Sequence, residues 1–406
     1  MTQASLSSGA GAVVQSRARD RSEANGRFFA EQAEPLAGLC HLMAERFARG
    51  GRLVALGRSP PARSDARHVA VEFVHPVIVG KRALPAIALC GDGGDLAAQA
   101  ELLTRGDDIA IAFEADSGGD ADAREAARAV AVARGRGCLT IAFARAGAEW
   151  ELPPPVTDPY IRQELIETAY HVLWELVHVF FEHRGLLAGR SERRGHDAGA
   201  SSFLYPFLAE REDNLDEVLD DVRRSVLMKS EEIGALRVQT LTEGADILAA
   251  AASALRASFD QGGTLLALGN GGSATDAMDA VADFRHAAGG RVPRRAIDLT
   301  EDSSILTAIA NDIGSEAIFS RQVIAYGGAG DALLALSTSG GSGNVIAALA
   351  EARRRGMTTI ALVGYDGGRI HSEQLADHVI VTRSQHIPRI QEAQASAYHV
   401  LRELVG

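Results

Sequence analysis

The chain has 406 residues, 46% of them apolar and 23% charged, a globular composition long enough for two domains. Its formal net charge of −12 weighs against a nucleic-acid or anionic-membrane partner, and no apolar run approaches the roughly 18–20 residues that a membrane span needs. Cys40, Cys90 and Cys138 are an odd number with no CxxC spacing, so buried thiols in a reducing, cytoplasmic compartment are expected.

In chain order, residues 1–24 are small, polar and mildly basic and read as a disordered tail. A first α/β domain is expected over 25–185. It opens with the amphipathic pattern EANGRFFAEQAEPLAGLCHLMAERFARGG and continues with the strand-length runs LVAL, AIAL, IAIAF and TIAF. Helical patterns such as DAREAARAVAVARGRG separate these runs. A polar linker rich in Gly, Ser and Arg is expected over 186–214. The second domain, 215–406, takes in most of the acidic stretch REDNLDEVLDDVRRSVL, a second amphipathic pattern, and the runs LLAL, AIDL, LLAL and TIAL. Continuous apolar strands alternating with helices predict a parallel sheet covered on both faces, in a three-layer, Rossmann-like α/β arrangement.

The two domains repeat one another. QELIETAYHVLWELV (163–177) and QEAQASAYHVLRELV (391–405) are identical at ten of fifteen positions. LVALGRS (53–59) matches LLALGNG (265–271), and GDDIAIAFEADSGGDA (106–121) matches GDALLALSTSGGSGNV (330–345). The order of the matches is conserved, so one domain has been copied. The repeated helix carries an apolar stripe, and Tyr170 and Tyr398 read as packing residues within it.

Two segments of the second copy have the chemistry of anion cradles. GNGGS (269–273) and STSGGSGN (337–344) each stand between a strand and a helix. There, glycines let amides approach an anion, hydroxyls donate, and the helix N-terminus is partly positive. The first copy differs at both places. GRSPPARSDAR has prolines where the second copy has glycines, and EADSGGDAD (114–122) carries Glu114, Asp116, Asp120 and Asp122. Carboxylates repel a phosphate and proline removes amide donors, so the first copy is expected to have lost its cradle.

ALGNGGSATDAMDAVADF, DSSILTAIANDIGSEAIFSRQV, LSTSGGSGNVIAAL and PRIQEAQASAYHVLREL together resemble the phosphoheptose isomerase branch of the sugar isomerase (SIS) domain family, across 215–406. The resemblance implies sugar-phosphate binding through Asn270, Ser273, Ser337, Thr338, Ser339 and Ser342. It also implies a zinc site that supplies acid and base, built from a His and Glu four residues apart and a Gln and His eight apart. The first copy has this set as His68, Glu72, Gln163 and His171; the second keeps Gln391 and His399 but has Asp279 and Asp283. His, Glu and Gln suit a borderline divalent ion, whereas Asp is one methylene shorter than Glu.

The losses are complementary, which suggests an internal pseudo-dimer of two SIS domains. The expected function is interconversion of sedoheptulose 7-phosphate and D-glycero-D-manno-heptose 7-phosphate by proton transfer through an enediolate. Glu72 and His171 are the expected acid–base pair, with Asp283 and His399 as the alternative. Zinc is the expected cofactor and no nucleotide is needed; two chains would assemble four SIS domains. The rival expectation is a non-catalytic module that binds a sugar phosphate as sensor or assembly partner.

Overall fold

The computed structural model describes residues 3–77, 81–114, 121–182, 214–286 and 291–406. In chain order its elements are α1 (Gln3–Ala48), β1 (Leu53–Leu56), α2 (Pro60–Val74), β2 (Ala86–Leu89), α3 (Leu96–Leu103), β3 (Ile109–Ala112), α4 (Ala121–Gly135), β4 (Leu139–Ala142), β5 (Trp150–Glu151) and α5 (Pro159–Glu182). After these come α6 (Leu215–Glu243), α7 (Ala245–Asp260), β6 (Leu265–Leu268), α8 (Gly272–Arg285), β7 (Ala296–Asp298), α9 (Ser303–Asp312), α10 (Ser320–Tyr326) and β8 (Ala332–Ser337). The chain ends with α11 (Gly343–Arg354), β9 (Thr358–Gly364), α12 (Gly368–Ser372), β10 (His378–Thr382) and α13 (Ile387–Val405). Among the described residues no helix is long and apolar enough to cross a membrane.

The chain divides into two compact units. The N-terminal unit is Ala24–Glu232, and the C-terminal unit is Met1–Glu23 with Ile233–Gly406. Each holds one parallel five-stranded sheet, in the order β2-β1-β3-β4-β5 and β7-β6-β8-β9-β10 respectively. The two orders are the same when read along the chain, as the repeat predicts. Successive residues of a strand point to opposite faces, and here both faces are covered. In β1, Leu53 and Ala55 enter one core while Val54 and Leu56 enter another. In β6, Leu265 and Ala267 alternate with Leu266 and Leu268 in the same way.

Three expectations are corrected. The predicted disordered tail is helical from Gln3, and Val14 and Ala18 are buried in the main core of the C-terminal unit. The acidic helix assigned to the second domain contributes Val218, Val222 and Val226 to the core of the N-terminal unit, because their i, i+4 spacing makes one apolar stripe. The strand register also moves the repeat alignment by one residue. Leu56 pairs with Ala112 in one unit and Leu268 with Ala335 in the other, so Glu114 stands at the strand position of Ser337. The linker over 186–213, and Asp116 and Asp120, lie outside the described residues.

Candidate active site

In the C-terminal unit the chain goes from β6 to β7 on one side of the sheet and then to β8 on the other. The carboxyl ends of β6 and β8 therefore form a topological switch point, where open α/β sheets hold ligands. Both predicted loops are at this point. Gly269 lies so close to α8 that a Cβ there would stand 2.1 Å from the Ser273 carbonyl oxygen, and Gly271 has φ +58. Only glycine meets both demands at no cost. Ser273 is buried in the first turn of α8. Ser337 ends β8, and its Oγ accepts from the Gly340 amide at 3.1 Å. Ser342 is the N-cap of α11 without a side-chain capping bond, and its Oγ stands 3.5 Å from that of Ser337. Thr338 is half-buried, and Ser339 is exposed with its Oγ accepting from the Gly341 amide at 3.2 Å.

The two loops are tied together by a pair the sequence reading half missed. Asn270 Nδ2 donates to Asn344 Oδ1 at 3.0 Å, and Asn344 Nδ2 donates to Asn270 Oδ1 at 2.9 Å. Asn344 was visible as the last letter of STSGGSGN, but nothing in one loop states that its amide faces the other.

The same unit holds an acid–imidazole cluster. Asp279 and Asp283 are one turn apart on α8 and meet His399 on α13. His399 Nε2 lies 3.3 Å from Asp279 Oδ2 and 3.4 Å from Asp283 Oδ2. Tyr398, expected only to pack, donates its hydroxyl to Asp279 Oδ2 at 2.7 Å. Burial first, and then the negative charge of Asp279, pushes the Asp283 carboxyl well above the ordinary carboxylate range, against the pull of His399, Arg402 and Arg291. Gln391 is buried two helical turns before His399.

The N-terminal unit holds the other predicted set. His68 and Glu72 share one face of α2, and His171 of α5 meets them. The Nε2 atoms of His68 and His171 are 3.4 Å apart, and His68 Nε2 is 3.9 Å from Glu72 Oε1. Two imidazoles on one tetrahedral ion, with bonds of about 2.0–2.1 Å, stand about 3.3–3.4 Å apart, so these donors suit such an ion. Burial, with His171 beside it, pushes His68 well below its ordinary value and leaves the neutral imidazole that a metal requires. Tyr170 packs its ring on both histidines, with centroids 5.4 and 4.9 Å away. Gln163 is also buried, but eight residues of helix separate its backbone from that of His171 by about 12 Å.

At the switch point of the N-terminal unit the cradle chemistry is replaced. Gly57 keeps the close turn, since a Cβ there would stand 2.0 Å from the Ala62 carbonyl oxygen. Ala62 therefore takes the place of Ser273 and brings no hydroxyl. The backbone amides of Arg58 and Ser59 donate to Glu114 Oε1, the Ser59 bond measuring 2.7 Å.

A family model described as SIS domain matches residues 230–364. A phosphoheptose isomerase of Solidesulfovibrio magneticus is 38% identical over 187 residues, covering 46% of this chain and 90% of that protein. One from Pelobacter propionicus is 45% identical over 162 residues, covering 39% of this chain and 84% of that protein. Among solved structures, the C-terminal domain of glucosamine-fructose-6-phosphate aminotransferase from Francisella tularensis shares the fold. Its TM-score is 0.58 at 10% identity, over 97% of this chain and 94% of that one.

Proposed function

The chain belongs to the phosphoheptose isomerase family, and we propose that it interconverts sedoheptulose 7-phosphate and D-glycero-D-manno-heptose 7-phosphate. The observation that carries this reading is the pair of clasped loops at the β6/β8 switch point, with the hydroxyls of Ser337 and Ser342 facing each other. Amides and hydroxyls gathered at two helix N-termini suit a phosphate dianion. Asn270, Ser273, Ser337, Thr338, Ser339 and Ser342 would hold it. Gripping the phosphate far from the reacting carbons lets its binding energy orient the carbonyl end.

The reaction removes a proton from C1 of the ketose and returns one to C2, through an enediolate. That requires a carboxylate base and a second group to move protons at the oxygens. Among the described residues, one set within each unit has this composition. In the C-terminal unit Asp283, held high by burial and by Asp279, pairs with His399. In the N-terminal unit Glu72 pairs with His171. Zinc held by His68, Glu72 and His171, or less favourably by Asp279, Asp283 and His399, with Gln163 or Gln391 of the same helix as the proposed fourth ligand, would supply Lewis-acid polarisation of the carbonyl. A homodimer with four SIS domains belongs to the same proposal, and sedimentation equilibrium tests it.

The protein is incubated with sedoheptulose 7-phosphate in deuterated water, with and without zinc, and NMR follows an aldose phosphate labelled at C2. Enzyme-dependent label is the expected result. Glu72→Gln and Asp283→Asn, assayed separately, then assign the base. A second reading, a sugar-phosphate sensor without turnover, is favoured by the hold of Tyr398 and His399 on Asp279. Binding without label would establish it in place of the isomerase.

A further inference from the structure

We infer that the switch point of the N-terminal unit is an occupied anion-binding site whose ligand is a carboxylate of the same chain, Glu114. Three observations converge on it. Glu114 follows β3 at the strand position of Ser337, so it stands where the other unit presents a hydroxyl. Its Oε1 accepts from two consecutive loop amides, those of Arg58 and Ser59, immediately before α2. It is only 6% exposed, so this carboxylate is built into the fold and is not a surface group that happens to touch the loop.

The charge around it is consistent with that role. A helix N-terminus and two convergent amides attract one negative charge. Among the described residues nearby, Asp122 and Glu125 are carried by other partners. Arg58 Nε lies 3.6 Å from Asp122 Oδ1 and 3.4 Å from Glu125 Oε2, and Glu125 Oε1 accepts from the Leu96 amide at 2.7 Å. Among the described residues, Glu114 is thus the carboxylate that meets the loop amides. The turn itself is retained, with Gly57 as close to the following helix as Gly269 is in the other unit. The duplicated unit has kept an anion at its loop by supplying one from just after β3, and needs none from solvent.

Chemical rescue tests this. Glu114→Ala removes the carboxylate and leaves its side-chain space to acetate, beside the small pocket that Glu114 lines with Ala112, Ala142 and Arg145. Thermal unfolding of the full chain is followed with sodium acetate or with sodium chloride at the same ionic strength. The expected result is a melting temperature several degrees below wild type, restored in large part by acetate and not by chloride. Wild type should respond equally to the two salts. An E114A chain as stable as wild type, or acetate and chloride acting alike on it, overturns the inference. If E114A does not fold, Glu114→Asp is one methylene short of the loop and is read by amide exchange. Exchange about tenfold faster at Arg58 and Ser59 supports the inference, and unchanged exchange there overturns it.

Discussion

Asn270 and Asn344 exchange two amide hydrogen bonds, at 3.0 and 2.9 Å, and so join the loop after β6 to the first turn of α11. Each side chain uses one donor and one acceptor on the other, which holds both loops in one relative position. The clasp orders the cradle before any anion arrives, and ordering in advance raises affinity by reducing what binding must fix. Asn344→Ala removes both bonds and is expected to weaken inorganic phosphate binding by up to about thirtyfold, at about 1 kcal/mol net for each of the two hydrogen bonds. Asn270→Ala, which also loses a phosphate-binding side chain, should cost more, and the double variant little more than Asn270→Ala alone. Isothermal titration of the four proteins checks it, and additive losses would show that the clasp does not act as a unit.

Tyr398 ties the acidic cluster to α13. Its hydroxyl donates to Asp279 Oδ2, the same oxygen that faces His399. Tyr398→Phe leaves that buried carboxylate short of one donor, at a cost of about 1–3 kcal/mol. If Asp283 and His399 carry the proton transfer, kcat should fall with KM unchanged, because the phosphate loops are untouched. If the cluster only packs, unfolding moves and kcat does not.

Much of the sheet and of the cradle could be read from sequence, because those signals are local. Short apolar runs mark β1, β3, β6 and β8, with Gly57 and Gly269 closing β1 and β6, and a Gly/Ser loop before a helix has few other uses. What could not be read depends on the fold. Glu114 was counted among repelling carboxylates, because its role follows from a one-residue register that only strand pairing settles. Tyr398 reads as apolar filling until Asp279 is seen beside it. The helix around Val218 was given to the wrong unit because an apolar stripe states that a face is buried and not against what.

Arg52 and Asp108 make stability depend on pH. Burial alone would raise the Asp108 carboxyl. Hydrogen bonds from the Arg52 side chain and from the Arg52 and Arg105 amides outweigh it and hold the group below its ordinary value. A carboxyl depressed in the folded state stabilises above its unfolded value, about 3.9, and loses that contribution as pH falls through the lower folded value. Asp108→Asn should therefore melt below wild type at pH 7, and the gap should close as the pH falls below about 4. Melting curves between these limits check the sign; a gap that widened on acidification would contradict it.

The N-terminal helix offers an internally controlled test of the corrected tail. Val14 is fully buried in the C-terminal unit beside such residues as Leu248 and Leu255, whereas its neighbour Val13 is 45% exposed. Further along α1, Arg17 and Arg21 reach Glu403 at 3.5 and 3.4 Å, and Arg21 is 1% exposed, so the helix is held by charge as well as by packing. Val14→Asp buries a carboxylate among aliphatic side chains and should cost about 3 kcal/mol or more, while Val13→Asp should stay within about 0.5 kcal/mol. The two substitutions share chemistry, helix propensity and net charge, so their difference isolates burial. Equal and small effects in denaturant unfolding would return residues 11–23 to the disordered tail that their composition suggests; a large gap at Val14 alone would make them a working part of the C-terminal unit's core.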